Sequence, residues 1–224
     1  EALTRLVVQY NGVSIIATLN IIRTDLLNDG EVSLSESAAI KLGIREGEKL
    51  NFSHLDPIGS LSYVRSKMYG NRLSDNALKS IIYDVTEGKY SKVHLAAFVT
   101  ACAGDNMNIQ EIVGLTKAMV SYGAQMEWGG GLVVDKHCVG GLPGNRTTPI
   151  VVAIAAAAGL KIPKTSSRAI TSPAGTADVM EVMTNVDLSI EKIHEVVEKA
   201  GGCITWGGAV KLSPADDVLI KVEK

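Results

Sequence analysis

Between residues 129 and 148 the chain gathers a lysine, a histidine, a cysteine, an arginine and a set of glycines, in the order Gly129-Gly130-Gly131-Leu132-Val133-Val134-Asp135-Lys136-His137-Cys138-Val139-Gly140-Gly141-Leu142-Pro143-Gly144-Asn145-Arg146-Thr147-Thr148. Glycines allow close backbone approach to a ligand, and a helix that starts here would present unpaired N–H groups to it. The chemistry this suits is the holding of an anion, above all a phosphate. The stretch contains neither G-x-x-x-x-G-K-[ST] nor a G-x-G-x-x-G that opens a helix, so it is neither of the two commonest phosphate loops. Lys136 brings a positive charge, and His137 beside it can donate or shuttle a proton near neutral pH. Cys138 reads first as a thiol donor or packing residue. The alternative is a nucleophile whose thiolate Lys136 and the helix N-terminus favour.

A second loop of similar character follows at Ser166-Ser167-Arg168-Ala169-Ile170-Thr171-Ser172-Pro173-Ala174-Gly175-Thr176. Placed at the ends of successive strands, the two loops converge on one crevice. There Lys136 supplies charge, while Thr148, Ser166, Thr176 and loop N–H groups supply neutral donors, which suits a ligand with several acceptor oxygens. No acidic cluster surrounds the first loop to hold Mg²⁺ on a triphosphate, so inorganic phosphate or a monophosphate fits better, and no metal or cofactor is expected. The competing reading is that the glycines serve only helix–sheet packing. The accumulation of lysine, arginine and hydroxyls in both loops favours the anion.

Strands and helices in alternation must carry these loops. Leu132–Val134 reads as a buried strand, with Thr148 as N-cap, Pro149 in the first turn and Ile150–Ala158 as a helix. Leu160–Ser167 reads as the next strand, Ala177–Met183 and Ser189–Ala200 as helices, Cys203–Trp206 as a strand and Gly207-Gly208 as a loop. Alternation of this kind favours a parallel sheet with its ligand at the C-terminal strand ends. The final apolar run after Asp216-Asp217 has nothing to pair with, so the chain reads as a fragment of a longer α/β protein.

Upstream, residues 67–123 read as a helical domain. Ser74 caps a Leu78, Ile81, Ile82, Val85 stripe, Ser91 starts a second helix, and Asn108 with Glu111 makes a capping-box start to a third. His94 and Cys102 read as packing residues there. Residues 1–66 read as a β-rich domain. Asn11-Gly12 turns a hairpin, Val32–Leu34 and Lys49–Ser53 are strands, and Ser35 caps a short helix closed by Gly43. His54 is a strand-edge residue without a second ligand near it. The expected fold class is α/β: a small β-rich N-terminal domain, a helical domain, and over 124–224 the first part of a mostly parallel α/β sheet domain whose last residues return to the helical domain.

Composition excludes several classes. Apolar residues make up 46%, charged 21% and aromatic 4% of the 224 residues, and the net charge is −2, so no global basic field favours nucleic acid. Three cysteines argue against a disulfide scaffold. No apolar run is long enough to span a bilayer and no secretory signal opens the chain, so a cytoplasmic protein is expected.

Asp135-Lys136-His137-Cys138-Val139-Gly140-Gly141, Thr148, Ser166-x-Arg168, Gly175-Thr176 and Ser213-Pro214-Ala215-Asp216 resemble the thymidine and pyrimidine-nucleoside phosphorylase family in order and spacing. The wording of residues 140–149 and 164–178 is similar to its archaeal AMP phosphorylase branch. The resemblance covers nearly all of the chain and about the first half of such a protein. It implies phosphorolysis of an N-glycosidic bond, for AMP giving adenine and ribose 1,5-bisphosphate, by a homo-oligomer. Lys136, Cys138 (usually Ser in the family), Thr148, Ser166 and Thr176 would bind phosphate. His137 would face sugar and base, Arg168 would line the site, and Gly140, Gly141, Ser167 and Asp178 would belong to its loops. Where pyrimidine phosphorylases present a Tyr and an Arg to the base, this chain has Ile220-Lys221-Val222-Glu223, which favours the AMP-type reading. The alternatives are a pyrimidine-nucleoside or thymidine phosphorylase, and a phosphate-binding fragment inactive by itself.

Overall fold

A computed structural model describes residues 4–137, 146–169 and 174–223. The first unit is a three-stranded antiparallel sheet of order β2-β1-β3, from β1 (Arg5–Tyr10), β2 (Val13–Thr18) and β3 (Asn51–His54). The turn between β1 and β2 places Asn11 at φ 47° and Gly12 at φ 82°, the paired positive values a two-residue hairpin requires. Helix α1 (Glu36–Leu42) is capped by Ser35 and closed by Gly43 in the left-handed region. Val32–Leu34, expected as a strand, is irregular: three residues with no partner strand have nowhere to send their backbone hydrogen bonds.

The second unit is a bundle of α2 (Leu61–Met68), α3 (Asp75–Thr86), α4 (Lys92–Cys102) and α5 (Ile109–Ser121). Helix α2 begins inside the stretch expected to be β-rich. Its buried Val64 joins a core with Leu78, Ile81, Ile82, Val85, Leu95 and Phe98. The start signals are local, and they hold: Ser74 accepts the Ala77 N–H, Ser91 and His94 form a capping box, and Asn108 and Glu111 form another. His94 is thus occupied as a helix cap, and Cys102 is half-buried, with its thiol pushed up to about 11 by burial.

The third unit holds the glycine-rich loops. Among the described residues Val133 makes a single parallel bridge to Lys161, where a full strand is expected over Leu132–Val134. Helix α6 (Thr147–Ala157) leads to β4 (Ile162–Ser166), and α7 (Thr176–Glu181) and α8 (Ile190–Ala200) lead to β5 (Gly202–Trp206). Strand β4 pairs in parallel with β5 from Ile162↔Gly202 to Ser166↔Trp206. Gly202 permits the close approach of α6, because a Cβ there would lie 2.8 Å from Ile162 Cγ2 and 3.2 Å from Val152 Cγ1. The short α9 (Gly207–Val210), expected as a loop, leads to α10 (Pro214–Glu223). The final apolar run does find a partner in the chain. Ala215 is fully buried, and Val218, Leu219 and Val222 pack on the helical-bundle core. Among the described residues no helix is long and apolar enough to cross a membrane.

Candidate active site

The site forms where β4, β5 and the bridged 132–134 segment end and α6 begins. Pairing fixes the strand ends level, so Ser166 and Trp206 stand opposite each other. The chain leaves the sheet at Asp135 on one side and at Ser167 on the other. This is the C-terminal edge of a parallel sheet, where such folds place ligands.

Lys136 and Thr148 meet there: the Lys136 ammonium donates to Thr148 Oγ1 at 3.2 Å. Thr148 is buried within the first turn of α6, and the N-cap position belongs to Arg146 instead. The helix thus starts upstream of the N-cap expected at Thr148. Cationic Nζ, hydroxyl and the start of a helix lie close together, an arrangement suited to an anion.

Asp135 joins the site by a route that residue spacing alone does not reveal. Its Oδ2 lies 2.5 Å from His137 Nε2, and its Oδ1 lies 3.4 Å from Lys164 Nζ. The His137 side chain is 73% exposed, whereas that of Lys164 is 6% exposed. Lys164 shares one face of β4 with Ile162 and Ser166, which its period of two requires. A lysine two residues before a loop hydroxyl in a sheet strand is the signal that could have singled it out.

The second loop is stapled by Asp178. One of its oxygens, Oδ2, accepts from the Gly175 N–H at 2.8 Å and the Ala169 N–H at 2.7 Å, while Oδ1 accepts from Arg168 at 3.2 Å. The backbone bonds, Gly175 first, hold this carboxyl below its ordinary value. Gly175 must be glycine, since a Cβ would lie 2.4 Å from the Ser167 carbonyl oxygen. Arg168 is drawn toward carboxylates: it makes a two-pronged bond to Glu181 at 2.5 and 2.8 Å, pairs with Asp187 at 3.6 Å, and stacks over Trp206 at 4.7 Å. Glu181 foremost keeps its guanidinium charged, and Arg168 in turn keeps Glu181 below the ordinary range. Glu181, Asp187 and Trp206 are members of this cluster that sequence reasoning missed, because each is distant in sequence from Arg168.

Of the expected site residues, Lys136 and Thr148 touch each other, and His137 reaches Lys164 through Asp135. Arg168 and Asp178 touch; Ser166 ends β4, Ser167 follows it, and Thr176 opens α7. Cys138, Gly140 and Gly141 lie outside the described residues. Among the described residues no group of three or more His, Cys, Asp or Glu is placed to hold a metal ion.

Known proteins share this organisation. Residues 61–123 match the glycosyl transferase family helical bundle domain, and residues 130–223 match the a/b domain of the same family. A Polaromonas sp. (strain JS666 / ATCC BAA-500) protein named "Putative thymidine phosphorylase" is 56% identical over the whole chain, which covers 44% of that relative. A second relative of that kind, from Acidovorax sp. (strain JS42), is 57% identical over 95% of the chain and 42% of its own length. The chain therefore spans less than half the length of these relatives. Among solved structures, anthranilate phosphoribosyltransferase from Thermus thermophilus superposes with a TM-score of 0.59 at 22% identity, covering 71% of this chain and 49% of that one, a likeness of fold. Over residues 61–223 the chain belongs to the glycosyl transferase family whose helical bundle and a/b domains these are.

Proposed function

We propose that the protein to which this chain belongs is a phosphorylase that cleaves the N-glycosidic bond of AMP with inorganic phosphate, giving adenine and ribose 1,5-bisphosphate. The observation that carries the reading is the Lys136–Thr148 contact at the first turn of α6, on the ligand-binding edge of a parallel sheet. Phosphate held there by Lys136, Thr148, Ser166, Thr176 and Cys138 would be both nucleophile and counter-charge. As the bond to the base breaks, positive charge develops on the sugar, and an anion already positioned beside C1′ stabilises that charge without reorganisation. His137 would face the sugar and base, where a ring N–H can stabilise the departing base. Arg168, bound to three carboxylates, would line the site by fixing the loop that presents Ser166 and Thr176. A helical bundle closing over the crevice would exclude water, which otherwise hydrolyses the sugar.

The AMP assignment rests on Ile220-Lys221-Val222-Glu223, which lacks the Tyr and Arg with which pyrimidine phosphorylases of this kind meet the base. A second reading, phosphorolysis of thymidine or another pyrimidine nucleoside, has the names of the relatives in its favour. A panel of AMP, CMP, UMP and thymidine, incubated with the intact parent protein and phosphate, separates the two. Base from AMP with none from thymidine is the expected result. Base from thymidine alone would overturn the substrate and leave the phosphate site standing.

A further inference from the structure

We propose that Lys164 is a positioning residue of this site: through Asp135 it fixes the imidazole of His137, and the three act as one unit. The inference deepens the phosphorylase reading and rests on it for its kinetic test.

A lysine within a sheet strand is costly to bury, since its ammonium loses its water. Its side chain is only 6% exposed, and among the described residues the carboxylate it pairs with is Asp135, at 3.4 Å. Strand β4 is hydrogen-bonded to β5 in register, so the Lys164 backbone is rigidly placed opposite Ile204. Asp135 and His137 have no such frame. They stand where the chain leaves the sheet, 45% and 73% exposed, and a solvated imidazole on a loop samples several rotamers. The 2.5 Å approach of His137 Nε2 to Asp135 Oδ2 selects one orientation, provided that Asp135 is itself held. Lys164 is the member of the trio anchored in the sheet. With Nε2 beside Asp135, Nδ1 is the ring nitrogen left to face a ligand, and it donates there when the ring carries both protons. Lys136 is turned to Thr148, and Arg168 is committed to the carboxylates of Asp178, Glu181 and Asp187, so neither replaces Lys164 in this role.

The test uses the intact parent protein. With Lys164→Met, kcat for phosphorolysis is expected to fall about ten- to a hundredfold, the scale of a misaligned catalytic group, while the KM for phosphate stays within about twofold. Asp135→Asn should do the same, Lys164→Arg should restore most of the rate, and Lys164→Met with Asp135→Asn should be no worse than the more damaging single change. A rise in phosphate KM with kcat preserved would make Lys164 a direct phosphate ligand and overturn the proposal. Additive losses, or an unchanged kcat, would do so too. A second readout does not need turnover: in protein carrying ¹³C-labelled histidine, the His137 ring peaks, identified by their loss in His137→Gln, should move in Lys164→Met and in Asp135→Asn and stay in Lys164→Arg. Peaks that remain in place in Lys164→Met refute the positioning role. Should the unmodified protein release no base from any nucleotide or nucleoside, the phosphorylase reading fails, and the ring peaks still decide the role of Lys164.

Discussion

Among the described residues two lysines are buried, and they are set in opposite ways. Lys67, in the helical bundle, has a side chain 2% exposed and bonds to Glu111 Oε1 at 2.6 Å and to the Asn106 carbonyl at 2.6 Å. Glu111 is saturated in turn, accepting from Lys67 and from the N–H groups of Leu73 and Asn108. Burial works against its charge, yet the bonds from Lys67 and the backbone still keep its carboxyl below the ordinary range. Lys164, in the α/β unit, is nearly as buried but among the described residues has one loose ionic contact, at 3.4 Å, to a half-exposed carboxylate. Both lysines bear the cost of desolvation. The first is repaid within a closed network that ties α2, the 69–73 turn and α5 together. The second opens, on our proposal, onto loops that a ligand would complete, and that difference would separate a structural ion pair from a site.

Breaking the closed network should have the largest effect. Lys67→Met strands the Glu111 carboxylate in the core and is expected to cost about 3–5 kcal/mol in urea unfolding, the usual penalty for removing one partner of a buried pair. A loss under about 1 kcal/mol would show that the bundle does not depend on that pair. Next comes the open site: in the intact parent protein, Lys136→Ala should lower turnover by about 10²- to 10³-fold, as for loss of one preorganised donor, with little change in unfolding. A change under about threefold in both kcat and KM would remove Lys136 from the site. The inverse pattern, Lys67 affecting turnover alone and Lys136 affecting stability alone, would reverse the comparison.

What the sequence reveals, and what it does not, follows the same division. The caps at Ser74, Ser91 and Asn108, the Asn11-Gly12 turn and the left-handed stops at Gly43 and Gly201 are written within a few residues of where they act, and the structure uses each one. Helix α2 and helix α10 are not legible in that way because their helicity comes from packing: Val64 and Ala215 are buried against the bundle, a partner distant in sequence. The site shows the same contrast. Lys136 and Thr148 are recognisable by type and motif. The link from His137 through Asp135 to Lys164, and the carboxylates that bind Arg168, depend on the register of β4 and on the fold of α7, which no local pattern records.

Smaller effects sharpen the picture. Ser74→Ala removes the acceptor for the Ala77 N–H at the start of α3 and should cost about 1 kcal/mol without touching activity. Acid should release the stapled loop late. Asp178 and Glu181 are both held below their ordinary values, so their contribution is complete above about pH 4–4.5 and is lost only as pH falls through the lowered folded values. Because Arg168 stacks on Trp206, tryptophan fluorescence should stay level from neutral pH down to about 4.5 and change below about 4. A transition beginning above about pH 5 would mean that these carboxylates do not hold the loop.

The most direct test of the central claim, that the crevice aims a phosphate at the sugar carbon, is the fate of an oxygen label. With ¹⁸O-phosphate, AMP and the intact parent protein, adenine should appear only when phosphate is present, with the label bridging C1 and phosphorus in ribose 1,5-bisphosphate. Adenine released at the same rate without phosphate, together with unlabelled ribose 5-phosphate, would mean that water is the nucleophile and would contradict the account.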